Sequence, residues 1–167
     1  VNWDSATGTL DLSGTASRAV YETALASVTY SNSSNNPNTG SRTVEFVVDD
    51  AYVSSAAVSH TVTVTAVNDA PTLSNTPQAA LAFTEGDSAT VIDNTLVTGD
   101  VDNTIMQGAT VQISSGYAGV EDVLQFTNQN GISGSQVGDT LTLTGPATLA
   151  QYQTALRSIA YANSSED

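Results

Sequence analysis

Residues Gly8–Asn36, GTLDLSGTASRAVYETALASVTYSNSSNN, match residues Asp139–Asp167, DTLTLTGPATLAQYQTALRSIAYANSSED, with no gap. The offset is constant at 139 − 8 = 131 residues, and 15 of the 29 aligned positions are identical. A match of this length indicates an internal repeat, in which each copy has the same supersecondary structure. We therefore expect a fragment of a longer protein that contains parts of two repeats, neither of them complete.

Each copy contains a segment with helical spacing. In the second copy, apolar residues recur at i, i+3, i+7 and i+10, which is one face of a helix. Thr148 and Gln151 have the spacing of a capping box, and Pro146 stands just ahead of them. We expect a short helix that covers one end of the fold and leads into a strand at Ser158–Ala162. The apolar positions are Leu149, Tyr152, Leu156 and Ile159.

The rest of the chain has the alternation of β-strands. Short runs rich in Val, Thr, Phe or Leu alternate at period two and are bounded by Gly, Asn, Asp or Ser, a pattern typical of antiparallel sandwiches. The sequence thus predicts an all-β fold, with immunoglobulin/cadherin-like antiparallel β-sandwich repeats and one short helix per repeat. The predicted strands are Thr9–Ser13, Thr43–Val48, Ser59–Val67, Ala109–Ser114, Val123–Thr127 and Thr140–Thr144.

A short stiff segment, Val67-Asn68-Asp69-Ala70-Pro71, separates the two repeats. Proline fixes its own φ and keeps the preceding residue out of the helical region, so the connection is extended. The sequence predicts a domain boundary here. Residues 1–66 are then the C-terminal part of one repeat, residues 67–71 the linker, and residues 72–167 the N-terminal part of the next repeat.

Composition excludes several classes of function. The chain has 167 residues, a net charge of −14 and three basic residues, all arginine, so it lacks the positive charge that nucleic-acid binding needs. It has no cysteine, which excludes disulfide scaffolds and thiol chemistry, and no apolar run of the roughly 20 residues that cross a bilayer. With one histidine and no lysine, nucleophilic catalysis has few candidate bases, and we expect no enzyme.

Acidic residues cluster in predicted loops. Asp100 and Asp102 form a D-x-D pair, which places two carboxylates on one side of an extended backbone. In a chain of this net charge such pairs repel one another, and a Ca²⁺ ion with six to eight oxygen ligands removes that repulsion. The alternative interpretation of each cluster is a solvated turn, in which the aspartate caps backbone amides. The other two clusters are Asp49-Asp50 and Asn68-Asp69.

Four motifs carry a resemblance to a known family. They are V-N-D-A-P between the repeats, Glu85-Gly86-Asp87, D-x-D about thirty residues after the linker, and V-D-D before the last hairpin. Together with the 131-residue period they resemble the cadherin-like tandem repeats of giant bacterial surface adhesins, many of which are type I-secreted with RTX-type ends. The helical segment is also similar to the repeats of chondroitin sulfate proteoglycan-type ectodomains.

The resemblance implies a rod segment with Ca²⁺ at or near the domain junction. It implies that the metal ligands are Asn68 and Asp69 in the linker, Asp100 and Asp102 in the following domain, Glu85 near the end of its first strand, and Asp49 or Asp50 in the preceding domain. Linkers of animal cadherins have further ligands where this chain has Val67 and Ala70. We therefore expect one or two calcium ions at the junction rather than three.

The function that these features predict is mechanical. We expect a non-catalytic, calcium-stiffened extender of a large adhesin at the bacterial cell surface, whose partners are neighbouring repeats of the same polypeptide. A homodimer could form if residues 1–66 of one chain completed residues 72–167 of another. The alternative is a carbohydrate-binding or homophilic module, with a glycan or cell-surface ligand and with Trp3 or Tyr117 as the aromatic contact.

Overall fold

The computed structural model describes residues 1–76, 78–119 and 121–165. Positions 77, 120, 166 and 167 of the predicted domain 72–167 lie outside the described residues. The chain divides into two compact units, Val1–Ser34 and Asn35–Asp167. The linker predicted at residues 67–71 therefore lies within the second unit.

The first unit contains a hairpin and a helix. Strand β1 (Asn2–Asp4) pairs antiparallel with β2 (Thr9–Asp11), and helix α1 (Arg18–Ala26) follows. Trp3 lies opposite Leu10 in the hairpin. None of the residues of α1 is buried.

The second unit contains ten strands and one helix in its described residues. In chain order these are β3 (Arg42–Phe46), β4 (Val58–Val62), β5 (Thr72–Ser74), β6 (Thr90–Val91), β7 (Val97–Gly99), β8 (Ile105–Gln112), β9 (Asp122–Gln125), β10 (Ser133–Val137), β11 (Thr140–Thr148), α2 (Leu149–Arg157) and β12 (Ala160–Asn163). They form three-stranded sheets in the orders β10-β11-β8 and β6-β12-β9, and two-stranded sheets β3-β4 and β5-β7. All pairings are antiparallel.

The hydrophobic core joins the two three-stranded sheets with α2. Leu124 of β9, Leu141 and Leu143 of β11, and Tyr152 and Leu156 of α2 are all at most 5% exposed. This arrangement confirms the predicted all-β, antiparallel sandwich-type fold with short helices. It also explains the period-two pattern of β11 and most of the helical pattern of α2, because Leu141, Leu143, Tyr152 and Leu156 lie in this core.

The predicted helix and its cap are confirmed. Thr148 is the N-cap of α2, its Oγ1 accepts from Gln151 N at 3.3 Å, and its own N–H donates to Gln151 Oε1 at 2.8 Å. Two otherwise unpaired backbone donors are satisfied by this reciprocal capping box. Arg157 in the last turn donates to the carbonyl oxygen of Leu96 at 2.7 Å, which ties the end of α2 to the segment before β7.

The strands differ from the sequence prediction in their bounds and in their number, and β1, β5, β6 and β7 were not among the predicted runs. The run predicted as Ser59–Val67 is a strand only as far as Val62, because Val62 pairs with Arg42, the first residue of β3, and later residues have no partner strand. Strand β10 was not predicted, since its sequence SGSQV has one apolar residue. It forms because it is paired along its length with β11.

The two copies of the repeat have the same local structure where the helix contacts the glycine before it. In both, the tyrosine hydroxyl of the helix donates to a glycine carbonyl seven residues earlier, at 2.6 Å in the first copy and 2.7 Å in the second. Both glycines have a positive φ, of 136° and 125°. The sequence identity therefore extends to backbone conformation and hydrogen bonding. The residues are Tyr21 and Gly14 in the first copy, and Tyr152 and Gly145 in the second.

Candidate metal centre at the repeat junction

Strand pairing brings the linker and the D-x-D loop to the same end of the β5-β7 sheet. Thr72, the first residue of β5, pairs with Gly99, the last residue of β7. Because the strands are antiparallel, the chain enters β5 where it leaves β7. The linker, residues 67–71, therefore lies beside the loop of residues 100–103.

Hydrogen bonds join the two segments directly. The backbone N–H of Asp69 donates to Asp102 Oδ2 at 2.5 Å. The side-chain amide of Asn103 donates to Asn68 Oδ1 at 2.6 Å. The structure thus brings together the linker residues and the D-x-D residues that were predicted as ligands. It adds Asn103, to which the sequence analysis assigned no role.

Asp100 shapes the D-x-D loop. Its Oδ1 accepts from the backbone N–H groups of Asn103, at 2.7 Å, and of Asp102, at 2.9 Å. The Asn103 N–H and, to a smaller extent, the Asp102 N–H hold the pKa of Asp100 below its ordinary value, against the opposing effect of desolvation. Asp100 is therefore an anion that fixes its own loop. This is the geometry of a solvated turn in which an aspartate caps backbone amides, the alternative interpretation of the acidic clusters.

The electrostatics of the junction favour a cation. In the described ranges, the one ion pair joins Arg18 and Glu22, so the carboxylates of Asp69, Asp100 and Asp102 have no basic partner. The side-chain atoms that could bind a metal are carboxylate and amide oxygens, which suit a hard cation such as Ca²⁺ better than a transition metal.

The carboxylates alone do not make a preformed metal cluster. Among the residues that the structure describes, no group of three or more His, Cys, Asp or Glu side chains is placed to hold a metal ion. A cation at the junction would therefore need amide or backbone oxygens as well. The oxygen of Asn68 fits that requirement by chemistry and by position.

The other predicted ligands lie elsewhere. Asp49 and Asp50 are in the loop between β3 and β4, where Asp49 accepts from Ser54 Oγ at 2.7 Å. Asp50 Oδ1 accepts from two backbone N–H groups of the same loop, and these hold the pKa of Asp50 below its ordinary value, Val53 N–H before Tyr52 N–H. Both aspartates thus shape the hairpin tip.

Glu85 lies beside a different part of the second repeat. It borders a shallow depression together with Gly86, with Asn163 at the end of β12, and with Ser164 and Ser165, which follow β12. Asp87, in the same turn, accepts from Thr84 N at 2.9 Å. The hydrogen bonds of this turn involve no residue of the linker or the D-x-D loop.

Part of the chain is similar to halomucin. The match to this protein of Haloquadratum walsbyi runs over 94 residues at 35% identity, and it spans 50% of this chain and 1% of halomucin. The chain thus covers a very small part of the length of this relative. No protein-family profile matches the chain, and no solved structure matches it. No helix in the described residues is long and apolar enough to span a membrane.

Asp122 is a buried polar residue that was not among the predicted site residues. It is 5% exposed, and its carboxylate accepts from Tyr161 Oη at 2.5 Å, Asn163 Nδ2 at 2.8 Å and Ala118 N at 2.7 Å. The Tyr161 hydroxyl, followed by the Ala118 N–H and the Asn163 amide, lowers the pKa of Asp122 although desolvation raises it. The sequence contains one indication of this cluster, because its tyrosine and its asparagine recur in both copies with one residue between them.

Acid is expected to destabilise the second unit through Asp122. Its pKa is lower in the folded state than the ordinary value of 3.8, so its contribution to stability is present above that value and is lost as the pH falls below it. Urea unfolding at pH 7, 4 and 3 should show a fall in the free energy of unfolding. Asp122→Asn should reduce that fall and should cost about 1–3 kcal/mol at pH 7. Parallel pH curves for the two proteins would contradict this role.

Proposed function

We propose that this chain is a non-catalytic, calcium-stiffened extender segment of a large extracellular adhesin. The observation that carries the proposal is the direct contact between the linker and the D-x-D loop. Asp69 N donates to Asp102, and Asn103 donates to Asn68. A cation bound here would hold the linker against the D-x-D loop and would stiffen the connection between the segments on either side of the linker.

The proposed ligands belong to this junction. Asp69, Asp100 and Asp102 would supply carboxylate oxygens, and Asn68 an amide oxygen. The ion would neutralise part of the charge of a chain at −14, which otherwise opposes the compact state. Extracellular calcium modules typically have dissociation constants of about 10⁻⁴–10⁻³ M, so such a site would be filled outside the cell and empty inside it.

An extracellular surface role has separate support. Part of the chain is similar to halomucin, and we take that name to indicate a surface protein. The chain has no cysteine, is rich in threonine and valine, and has more aspartate than glutamate, 12 residues against 5, all of which suit a surface repeat. We propose adhesion to a cell or surface as the task of the whole protein, and spacing as the task of this segment.

Calcium is expected to raise the melting temperature of the chain. At a tenfold excess over the dissociation constant, a ligand that binds the folded state alone stabilises it by about 1.4 kcal/mol. In a protein of this size the rise should be about 3–6 °C. The measurement is thermal unfolding by circular dichroism with 5 mM CaCl₂, with EGTA and with 5 mM MgCl₂, where magnesium should have a smaller effect because it demands octahedral geometry.

Single isosteric variants locate the effect. Asp69→Asn and Asp102→Asn should each remove most of the calcium-dependent rise. Asp11→Asn changes the charge by the same amount on the exposed strand β2 and should leave the rise intact. If calcium has no effect on the parent chain, or if Asp11→Asn abolishes the effect equally, the junction is a solvated turn and the extender proposal fails.

The second candidate is a glycan-binding or homophilic module, and exposed aromatics favour it. Trp3 is 60% exposed and Tyr52, at the tip of the β3–β4 hairpin, is 95% exposed. Tyr117, the other aromatic named from the sequence, is half-buried. Aromatic rings are common contacts for sugars, so the absence of any calcium effect would bring this candidate forward.

A further inference from the structure

The residues after the helix have different partners in the two copies. In the second copy, Tyr161 Oη and Asn163 Nδ2 both donate to Asp122 Oδ1, at 2.5 and 2.8 Å. In the first copy, the equivalent Tyr30 and Asn32 keep their mutual contact of 3.4 Å, the same length as in the second. Within the described part of the chain, no carboxylate accepts from either of them. The tyrosine and asparagine donors are therefore arranged in the same way in both copies, but a carboxylate accepts from them only in the second copy.

The backbone shows the same difference. Residues 160–163 form β12 because β9 pairs with them, with Tyr161 opposite Leu124 and Asn163 opposite Asp122. Residues 29–32, which match them in sequence, are not assigned to a strand. A strand needs a neighbour for its N–H and C=O groups, so this segment has the sequence of a strand without the pairing.

Apolar side chains of the first unit are left partly open on the same face. Leu10 is 38% exposed, whereas its counterpart Leu141 is 2% exposed. Tyr21 of α1 is only partly buried, whereas Tyr152 of α2 is fully buried. Leu25 differs in the same way from its counterpart in α2, which is 5% exposed. In the second copy this face is buried in the core that includes Leu124 of β9.

Trp3 stands at the edge of this face. It pairs with Leu10, and the matching pair in the second copy is Gln136 with Leu141. Gln136 Oε1 accepts from the backbone N–H of Leu124 at 2.7 Å, so this position contacts β9. Trp3 therefore occupies the place where a strand such as β9 would meet the first unit.

We propose that the first unit is a docking surface for a β-strand with the chemistry of β9. The strand carries an aspartate that accepts from Tyr30 and Asn32, and apolar residues two and four positions later, as Leu124 and Phe126 follow Asp122. The aspartate fixes the register, and the apolar residues cover the exposed face of the β2–α1 segment. The occupant is thus an acidic-apolar strand of this repeat type, and its binding does not depend on calcium at the junction.

The test uses the full chain and a synthetic peptide of residues 121–130, EDVLQFTNQN, which has no tryptophan. Trp3 is the single tryptophan of the chain, so its fluorescence reports on the docking surface. We expect a saturable blue shift as the peptide covers the ring. A peptide with Asp122→Asn should bind about tenfold more weakly, because it loses a hydrogen-bonded charge. The result should be the same in CaCl₂ and in EGTA.

A matched pair of variants locates the binding. Tyr30→Phe in the full chain should weaken the aspartate peptide by about tenfold and the asparagine peptide by clearly less, because a neutral amide oxygen is a weaker acceptor than a carboxylate. Tyr161→Phe, the same change in the second copy, should alter neither affinity. The proposal is overturned by the absence of a saturable shift up to millimolar peptide, or by a loss of affinity in Tyr161→Phe instead of Tyr30→Phe. The fluorescence of the chain alone could also shift with protein concentration. If Tyr30→Phe does not change that shift, a second copy of the chain covers the face without using Tyr30, and the proposal is overturned.

Discussion

Gly145→Ala is expected to lower the free energy of unfolding of the second unit by about 3 kcal/mol or more. A Cβ at this position would lie 2.3 Å from the carbonyl oxygen of Gly131, a backbone atom that cannot move without displacing the turn beside the buried Ile132. The φ of 125° adds strain for any residue with a side chain. The measurement is urea unfolding followed by far-UV circular dichroism.

The first copy supplies the control. Gly14 has a φ of 136°, and a Cβ there would meet no atom within 4 Å. Gly14→Ala therefore introduces the backbone strain without the collision and should cost about 1–2 kcal/mol. Equal costs at the two positions would show that Gly145 is required for its backbone conformation alone, and that the Gly131 turn yields to the new side chain.

Tyr152→Ala is expected to have an effect of similar size, about 3–5 kcal/mol, because it removes a fully buried aromatic ring from the centre of the core. Since domains of this kind have total stabilities of about 5–15 kcal/mol, the variant should be partly unfolded at 37 °C. Urea unfolding and near-UV circular dichroism measure the loss.

Two further variants serve as controls, one for the hydroxyl of Tyr152 and one for the burial of its ring. Tyr152→Phe removes only the hydrogen bond to the Gly145 carbonyl, at 2.7 Å, and should cost about 1 kcal/mol. Tyr21→Ala loses the equivalent hydrogen bond in the first unit, at 2.6 Å, but its ring is only partly buried, so its effect should be well below that of Tyr152→Ala. A small effect of Tyr152→Ala would mean that the core repacks around the missing ring.

Local features of the fold were predictable from the sequence. The helix and its capping box follow from the spacing of Leu149, Tyr152 and Leu156 and from Thr148 with Gln151, because these interactions act within a few residues. Strand β10 and the early end of β4 were not predictable, since each depends on a partner strand. The repeat shows that burial also depends on partners distant in sequence. Matching sequences form α1 and α2, but only α2 has buried residues.

The candidate site was predictable in part. The linker and the D-x-D loop were chosen as ligands on composition and resemblance, and the structure places them together through the pairing of Thr72 with Gly99. Asp122 could not be found in this way, because an isolated aspartate next to a predicted strand looks like a turn residue. Its burial depends on Tyr161 and Asn163, which lie 39 and 41 residues later in the chain.

The pairing of β9 with β12 has a consequence for synthesis. The first residues of the two strands are 160 − 122 = 38 residues apart. At ribosomal rates of roughly 5–20 residues per second, the edge of β9 therefore stays unpaired for about 2–8 s before β12 is synthesised. During that time the ribosome has already released residues 29–32 of the preceding repeat, which match those of β12. Residues 29–32 are therefore available to β9 before residues 160–163 are, and the order of emergence, more than final stability, decides which segment can pair first.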